Sequence, residues 1–188
     1  MRTGTTSGAS RILSGPPTNF GRTNVAACST GEVAIAGNFK DSIDFGSGPI
    51  ASKGALDWFV ASYDAAGNVH WTKTFGQMGG GVFAKGVAVD PLCNTVLSGT
   101  HMGTIDLGGG LLTTTGQAAL VAKLDTSGNH LWSRSFGDGS QVSGGPVAAY
   151  GQGNTIVSGT FPGEIDFGGG PLMNTGGANV FVAKLLLP

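Results

Sequence analysis

Short alternating runs of apolar and polar residues fill this chain, and no segment carries the 3.6-residue period of a helix. Val87-Ala88-Val89-Asp90 reads as one strand, Pro91-Leu92-Cys93-Asn94 as a turn, and Thr95-Val96-Leu97-Ser98-Gly99 as the return. A glycine-rich excursion through Ile105-Asp106-Leu107-Gly108-Gly109-Gly110 follows. Leu120-Val121-Ala122-Lys123-Leu124 then alternates as a half-buried strand does. Asp125-Thr126-Ser127-Gly128-Asn129 predicts a hairpin turn in which Gly supplies positive φ. Leu131-Trp132-Ser133-Arg134-Ser135-Phe136 closes the unit, with Trp132, Arg134 and Phe136 on one face.

The same unit recurs. Ile43-Asp44-Phe45-Gly46, Ile105-Asp106-Leu107-Gly108 and Ile165-Asp166-Phe167-Gly168 are one phrase, spaced by 62 and then 60 residues. Asp64-Ala65-Ala66-Gly67-Asn68-Val69-His70-Trp71 returns 61 residues later as Asp125-Thr126-Ser127-Gly128-Asn129-His130-Leu131-Trp132. A fixed period of this length means one supersecondary unit copied side by side, each copy burying a face on its neighbour.

Four strands per copy make the unit of a β-propeller blade. The fold expected is therefore all-β and propeller-like, a half-propeller of three four-stranded blades. Residues 1–23 form an N-terminal strand and linker, 24–86 the first blade, 87–146 the second and 147–188 the third. The third ends after Asn179-Val180-Phe181-Val182-Ala183-Lys184-Leu185, the match to a third strand, and so lacks its outer strand. Ser10-Arg11-Ile12-Leu13-Ser14-Gly15 aligns with Ser133-Arg134-Ser135-Phe136-Gly137 and offers that strand back, in its own chain or another.

Several phrases resemble the bacterial SBBP β-propeller repeat. They are Asp57-Trp58-Phe59-Val60-Ala61, Asp64 to Trp71, Thr74-Phe75-Gly76, Gly86-Val87-Ala88-Val89-Asp90, Ile165 to Gly170, and Phe181-Val182-Ala183-Lys184-Leu185. The resemblance covers roughly residues 25 to 185 and implies a propeller from a secreted or surface-attached bacterial protein, with no shared catalytic site. Three copies are fewer than the usual 4 to 8 blades, which leaves two apolar blade faces uncovered. The expected partner is therefore the chain itself, in a closed six-bladed dimer or a strand-exchanged filament.

Composition changes this picture little. With 188 residues, 40% of them hydrophobic, the chain can bury a core, and a net charge of −1 argues against nucleic acid. No apolar run approaches a membrane span, and the N-terminus has no apolar signal core. Cys28 and Cys93 lie near the same inter-strand turn in different copies; they read as free thiols and leave the redox compartment open.

Candidate chemistry is sparse. Asp44, Asp106 and Asp166 recur in every copy, which points to turn capping through Asx hydrogen bonds before a paired-carboxylate hydrolase; Asp64 and Asp125 read likewise. No His or Cys spacing suits a metal, and the Gly runs lack the helix and Gly-Lys of a phosphate loop. No catalytic residue, metal or cofactor is expected. Trp71 and Trp132 repeat with Phe75 and Phe136 and read as core, whereas Trp58 is matched by Ala119 and Val180. Where copies differ, ligand or partner contacts are sought: Phe39, Lys40, Asp41, Trp58, Gln77, His101, Met102, Asp138, Gln141 and Phe161. The leading expectation is a non-enzymatic assembly or interaction module. The alternatives are a lectin-like carbohydrate binder using those loops, and a hydrolase or lyase with scattered carboxylates.

Overall fold

The computed structural model describes residues 21–186 apart from 47, 77–79, 138, 140 and 152. The proposed N-terminal strand at residues 10–15 lies outside the described residues. All fifteen described elements are strands, paired antiparallel in several sheets. No helix among the described residues is long and apolar enough to cross a membrane.

Sheet 1 contains β1 (Thr23–Ala27), β2 (Val33–Phe39), β5 (Asp57–Tyr63) and β6 (Val69–Phe75), in the order β1-β2-β5-β6. Between β2 and β5 a separate hairpin forms from β3 (Ser42–Asp44) and β4 (Pro49–Ala51). Sheet 2 contains β7 (Gly81–Val89), β8 (Thr95–Asp106), β9 (Leu111–Leu124) and β10 (His130–Phe136), each paired with the next. Sheet 3 contains β11 (Ser143–Tyr150), β12 (Asn154–Phe161) and β15 (Asn179–Leu185), with a hairpin of β13 (Glu164–Asp166) and β14 (Pro171–Met173).

The glycine-rich excursion of the second copy is more regular than expected. Gly103 to Asp106 and Leu111 to Thr114 remain paired, so β8 and β9 run on through a register shift at Met102/Gly103. In the flanking copies the same segment detaches as a hairpin. In every case its apolar phrase folds back into a buried cluster. Ile43 and Phe45 lie with Phe39 and Phe59, Ile105 and Leu107 join the core between sheets 1 and 2, and Ile165 and Phe167 join that between sheets 2 and 3.

The sheets stack in chain order, with β7 against sheet 1 and β11 against sheet 2. Alternation along each strand supplies one apolar row for each neighbour. Trp58, Val60, Phe75, Leu97, Leu120 and Leu124 meet in the first seam; Val96, Val121, Phe136, Val157, Phe181 and Leu185 meet in the second. Phe75 and Phe136 are buried, as their repetition predicts, while Trp71 and Trp132 are half-buried at the seam margins. Gly128, at φ +79°, lets the second-copy turn lie on the Trp71 ring, where a Cβ would come within 2.7 Å. Trp71 Nε1 donates to the Thr126 carbonyl across that contact at 2.8 Å.

Candidate functional site

The repeated carboxylates act on their own turns. One oxygen of Asp44 accepts from the N–H groups of Gly46 and Gly48, and Asp106 and Asp166 repeat this with Gly108 and Gly110 and with Gly168 and Gly170. Asp64 and Asp125 hold the strand-three turns through Asn68 and Asn129. The Asn68 side chain and backbone lower the Asp64 carboxyl below its usual range. Burial works to raise Asp125, but its bonds from Asn129 and Ser127 outweigh that and leave it lowered. These are the Asx turns that the sequence pattern predicts. Asp90 builds the same turn with Leu92 and Asn94, a match hidden because Cys93 replaces the glycine there, at φ 64°.

The loop residues singled out by their variation separate into two groups. Phe39, Trp58, His101 and Phe161 are buried, which corrects the expectation that they present themselves to a ligand. Phe39, His101 and Phe161 occupy one equivalent place in the repeat. Trp58 fills the room left by Ala34, Ala36 and Ala84, and its ring lies 3.4 Å from where a Gly99 Cβ would stand. Met102 is half-buried; Lys40, Asp41 and Gln141 are exposed; Gln77 and Asp138 lie outside the described residues. His101 Nε2 and Ser135 Oγ are 2.7 Å apart, but the imidazole is wholly buried and no described carboxylate bonds to it. Burial pushes that imidazole below its ordinary pKa, against an opposing backbone contact with Gly103.

Chemistry concentrates instead where one sheet meets the next. Cys28 and Cys93 form a disulfide across the first seam, correcting the expectation of free thiols: stacking brings two turns 65 residues apart to a Cα separation of 5.5 Å. Glu32 stands close enough to both sulfurs to complete a three-ligand cluster, but the disulfide leaves no thiolate to bind a metal. Deeper in that seam Asn38 Oδ1 accepts from Ala84 N–H at 2.8 Å, and its Nδ2 donates to the Val82 carbonyl at 2.7 Å. In the second seam Thr100, one period on from Asn38, accepts from Gly144 N–H at 3.0 Å, and Ser98 donates to the Gly145 carbonyl at 2.6 Å. At the rim Lys123 Nζ lies 2.6 Å from Asp90, both side chains almost wholly buried. Burial favours a raised Asp90 carboxyl, yet the hydrogen bonds from Lys123 and Asn94 and the lysine charge outweigh it and hold the pKa low.

Among the described residues, no sheet stacks on the outer side of sheet 1 or of sheet 3. Val60 and Val121 are 0% exposed, whereas Val182, one further period on, is 71% exposed; Ala119 at 1% becomes Val180 at 73%. At the other end Val87 at 8% corresponds to Val25 at 69%. Beside Val180 an open groove of about 250 Å³ runs along Gly144, Gly145, Ser158 and Thr160. Copy number alone predicts uncovered faces, but sequence reasoning did not pick out their residues. The signal was available in positions that keep the apolar pattern of a seam in the first and last copies. No family model matches this chain, and no curated protein matches it.

Proposed function

We propose that this chain is a non-enzymatic β-propeller-type repeat module, of the kind implied by its resemblance to the SBBP repeat, working in structural assembly or protein interaction. One observation carries this reading: a single sheet-on-sheet contact is used twice, and the apolar row that would make it again stands exposed on sheet 3 at Val180 and Val182, with Val25 exposed on the far side of sheet 1. Contiguous exposed apolar surface of this sort marks an association site. The reactive groups support the same reading, since the recurring Asp44, Asp106 and Asp166 are committed to their turns and His101 of the His101–Ser135 pair lies in the core. A disulfide belongs to an oxidising compartment, in keeping with the extracellular or surface setting that the resemblance implies.

Sedimentation of the whole chain, beside a panel of chromogenic hydrolase substrates, tests the reading. A particle heavier than the 18.8 kDa chain with no turnover is expected. A persistent monomer, or turnover of any substrate, would overturn it.

A further inference from the structure

We infer that the free face of sheet 3 binds the free face of sheet 1 of a second copy, with β1 of that copy seated in the groove over Ser158 and Thr160. This rests on the assembly reading above and names its partner and register. The two internal seams supply the template. In each, the first strand of the following copy lies on the first two strands of the preceding one: β7 on β1 and β2, then β11 on β7 and β8. The next strand in that series would lie on β11 and β12. No described strand occupies that place, and the groove marks it.

The facing groups match position by position. Asn38 takes the Ala84 N–H and Thr100 takes the Gly144 N–H; Thr160 is next in line, and the β1 residue paired as Ala84 and Gly144 are is Thr23 of the second copy. Ser98 donates to the Gly145 carbonyl in the bulge of β11, and Ser158 holds the place of Ser98 on β12. Val180 and Val182 fill the row held by Trp58 and Val60, then by Ala119 and Val121, while Val25 and Ile35 answer Val87 and Leu97. At the rim Lys184 now lies over the Tyr150 ring, 5.3 Å from its centre, where its equivalent Lys123 reaches the Gly153 carbonyl of the following copy.

A second copy is favoured over closure within one chain because three sheets fall short of the usual 4 to 8 of a ring, whereas six lie within it. Each chain carries one face of each kind, so two chains related by a two-fold axis satisfy all four faces at once.

The disulfide gives the test its register. Cys28 corresponds to Asp90 and Tyr150, and Cys93 to Gly153 and Gly31. The middle pair is also juxtaposed, since a Cβ on Gly153 would lie 3.8 Å from the Asp90 carboxylate. Tyr150→Cys combined with Gly31→Cys should therefore form a disulfide between chains. Cys93 holds the equivalent place at φ 64°; at Gly31, φ +95°, a side chain carries backbone strain, and its Cβ would press only on Ala65 in an exposed turn, 3.0 Å away. Under mild oxidation the double variant is expected to run as a linked dimer, in which a disulfide-joined peptide connects position 31 of one chain to position 150 of the other. Each single variant is expected to run as a monomer on the same denaturing gel. Val182→Lys, a surface change that leaves the fold intact, is expected to halve the sedimenting mass to 18.8 kDa. An assembled particle that forms no such link and ignores Val182→Lys overturns this pairing and leaves the assembly reading standing. A ladder of linked species beyond two overturns the closed ring. A monomeric wild type overturns both.

Discussion

The two seams of the stack have the same geometry and different chemistry. At the first, a disulfide closes the rim, Asn38 stitches β2 to β7, and Trp58 fills space that three alanines leave open. At the second, Lys123, paired with Asp90 of its own sheet, reaches the Gly153 carbonyl at the rim, Ser98 and Thr100 hold β11, and aromatic rings supply the volume. Phe167 there lies 4.7 Å from Phe136 and 4.8 Å from Phe181, centre to centre. The repeat dictates where a contact is needed, while each seam meets the need with complementary volume and charge of its own. A residue that departs from the repeat can therefore be a packing solution: Trp58 differs from Ala119 because its opposing residues differ too.

Several changes would break this comparison. The largest effect is expected from Trp58→Ala, which empties the centre of the first seam and should cost about 5 kcal/mol in urea unfolding. Ala119→Gly in the second seam removes far less volume, so a similar loss there would contradict the contrast. Next comes Lys123→Met, which leaves Asp90 buried without its cation and should cost about 4 kcal/mol. Adding Asp90→Asn keeps the oxygen that the turn needs and should recover most of that loss. Breaking the first-seam rim with Cys28→Ser releases a long loop and should cost about 3 kcal/mol. Reductant should reproduce that loss in the wild type and leave the variant unmoved.

Acid sharpens the comparison with a smaller effect. His101 lies on β8, and its folded pKa is below the unfolded value of about 6.5. Its contribution is whole above that pH and is lost as pH falls through the folded value. Asp90, in the second seam, is also depressed, so its contribution fades only below the unfolded carboxylate value of about 3.9. Stability should fall in two stages on acidification. His101→Phe, matching Phe39 and Phe161, should abolish the first stage; a wild-type titration without that stage would place His101 outside any role in the acid response.

The strands, their period and the Asx turns were legible because each depends on residues close in sequence. Alternation marks a strand, and Asp with Gly or Asn two to four residues on marks its turn. What stood opposite was not legible. Trp58 read as a surface candidate and Cys28 and Cys93 as free thiols because burial and pairing are decided by the neighbouring sheet, across the 65 residues that separate the two cysteines. Val180 and Val182 gave the converse error of omission. Their pattern is that of a buried row, and only the stack reveals that no described strand covers them.

The proposed pairing makes a third seam of the two end faces, and hydroxyl-radical footprinting across a dilution series tests that most directly. Tyr150, at the rim of the sheet 3 face, and Val182, within it, should be shielded at high protein concentration and become reactive on dilution, while Val121 stays unreactive throughout. Equal reactivity of Tyr150 and Val182 at every concentration would contradict a third seam.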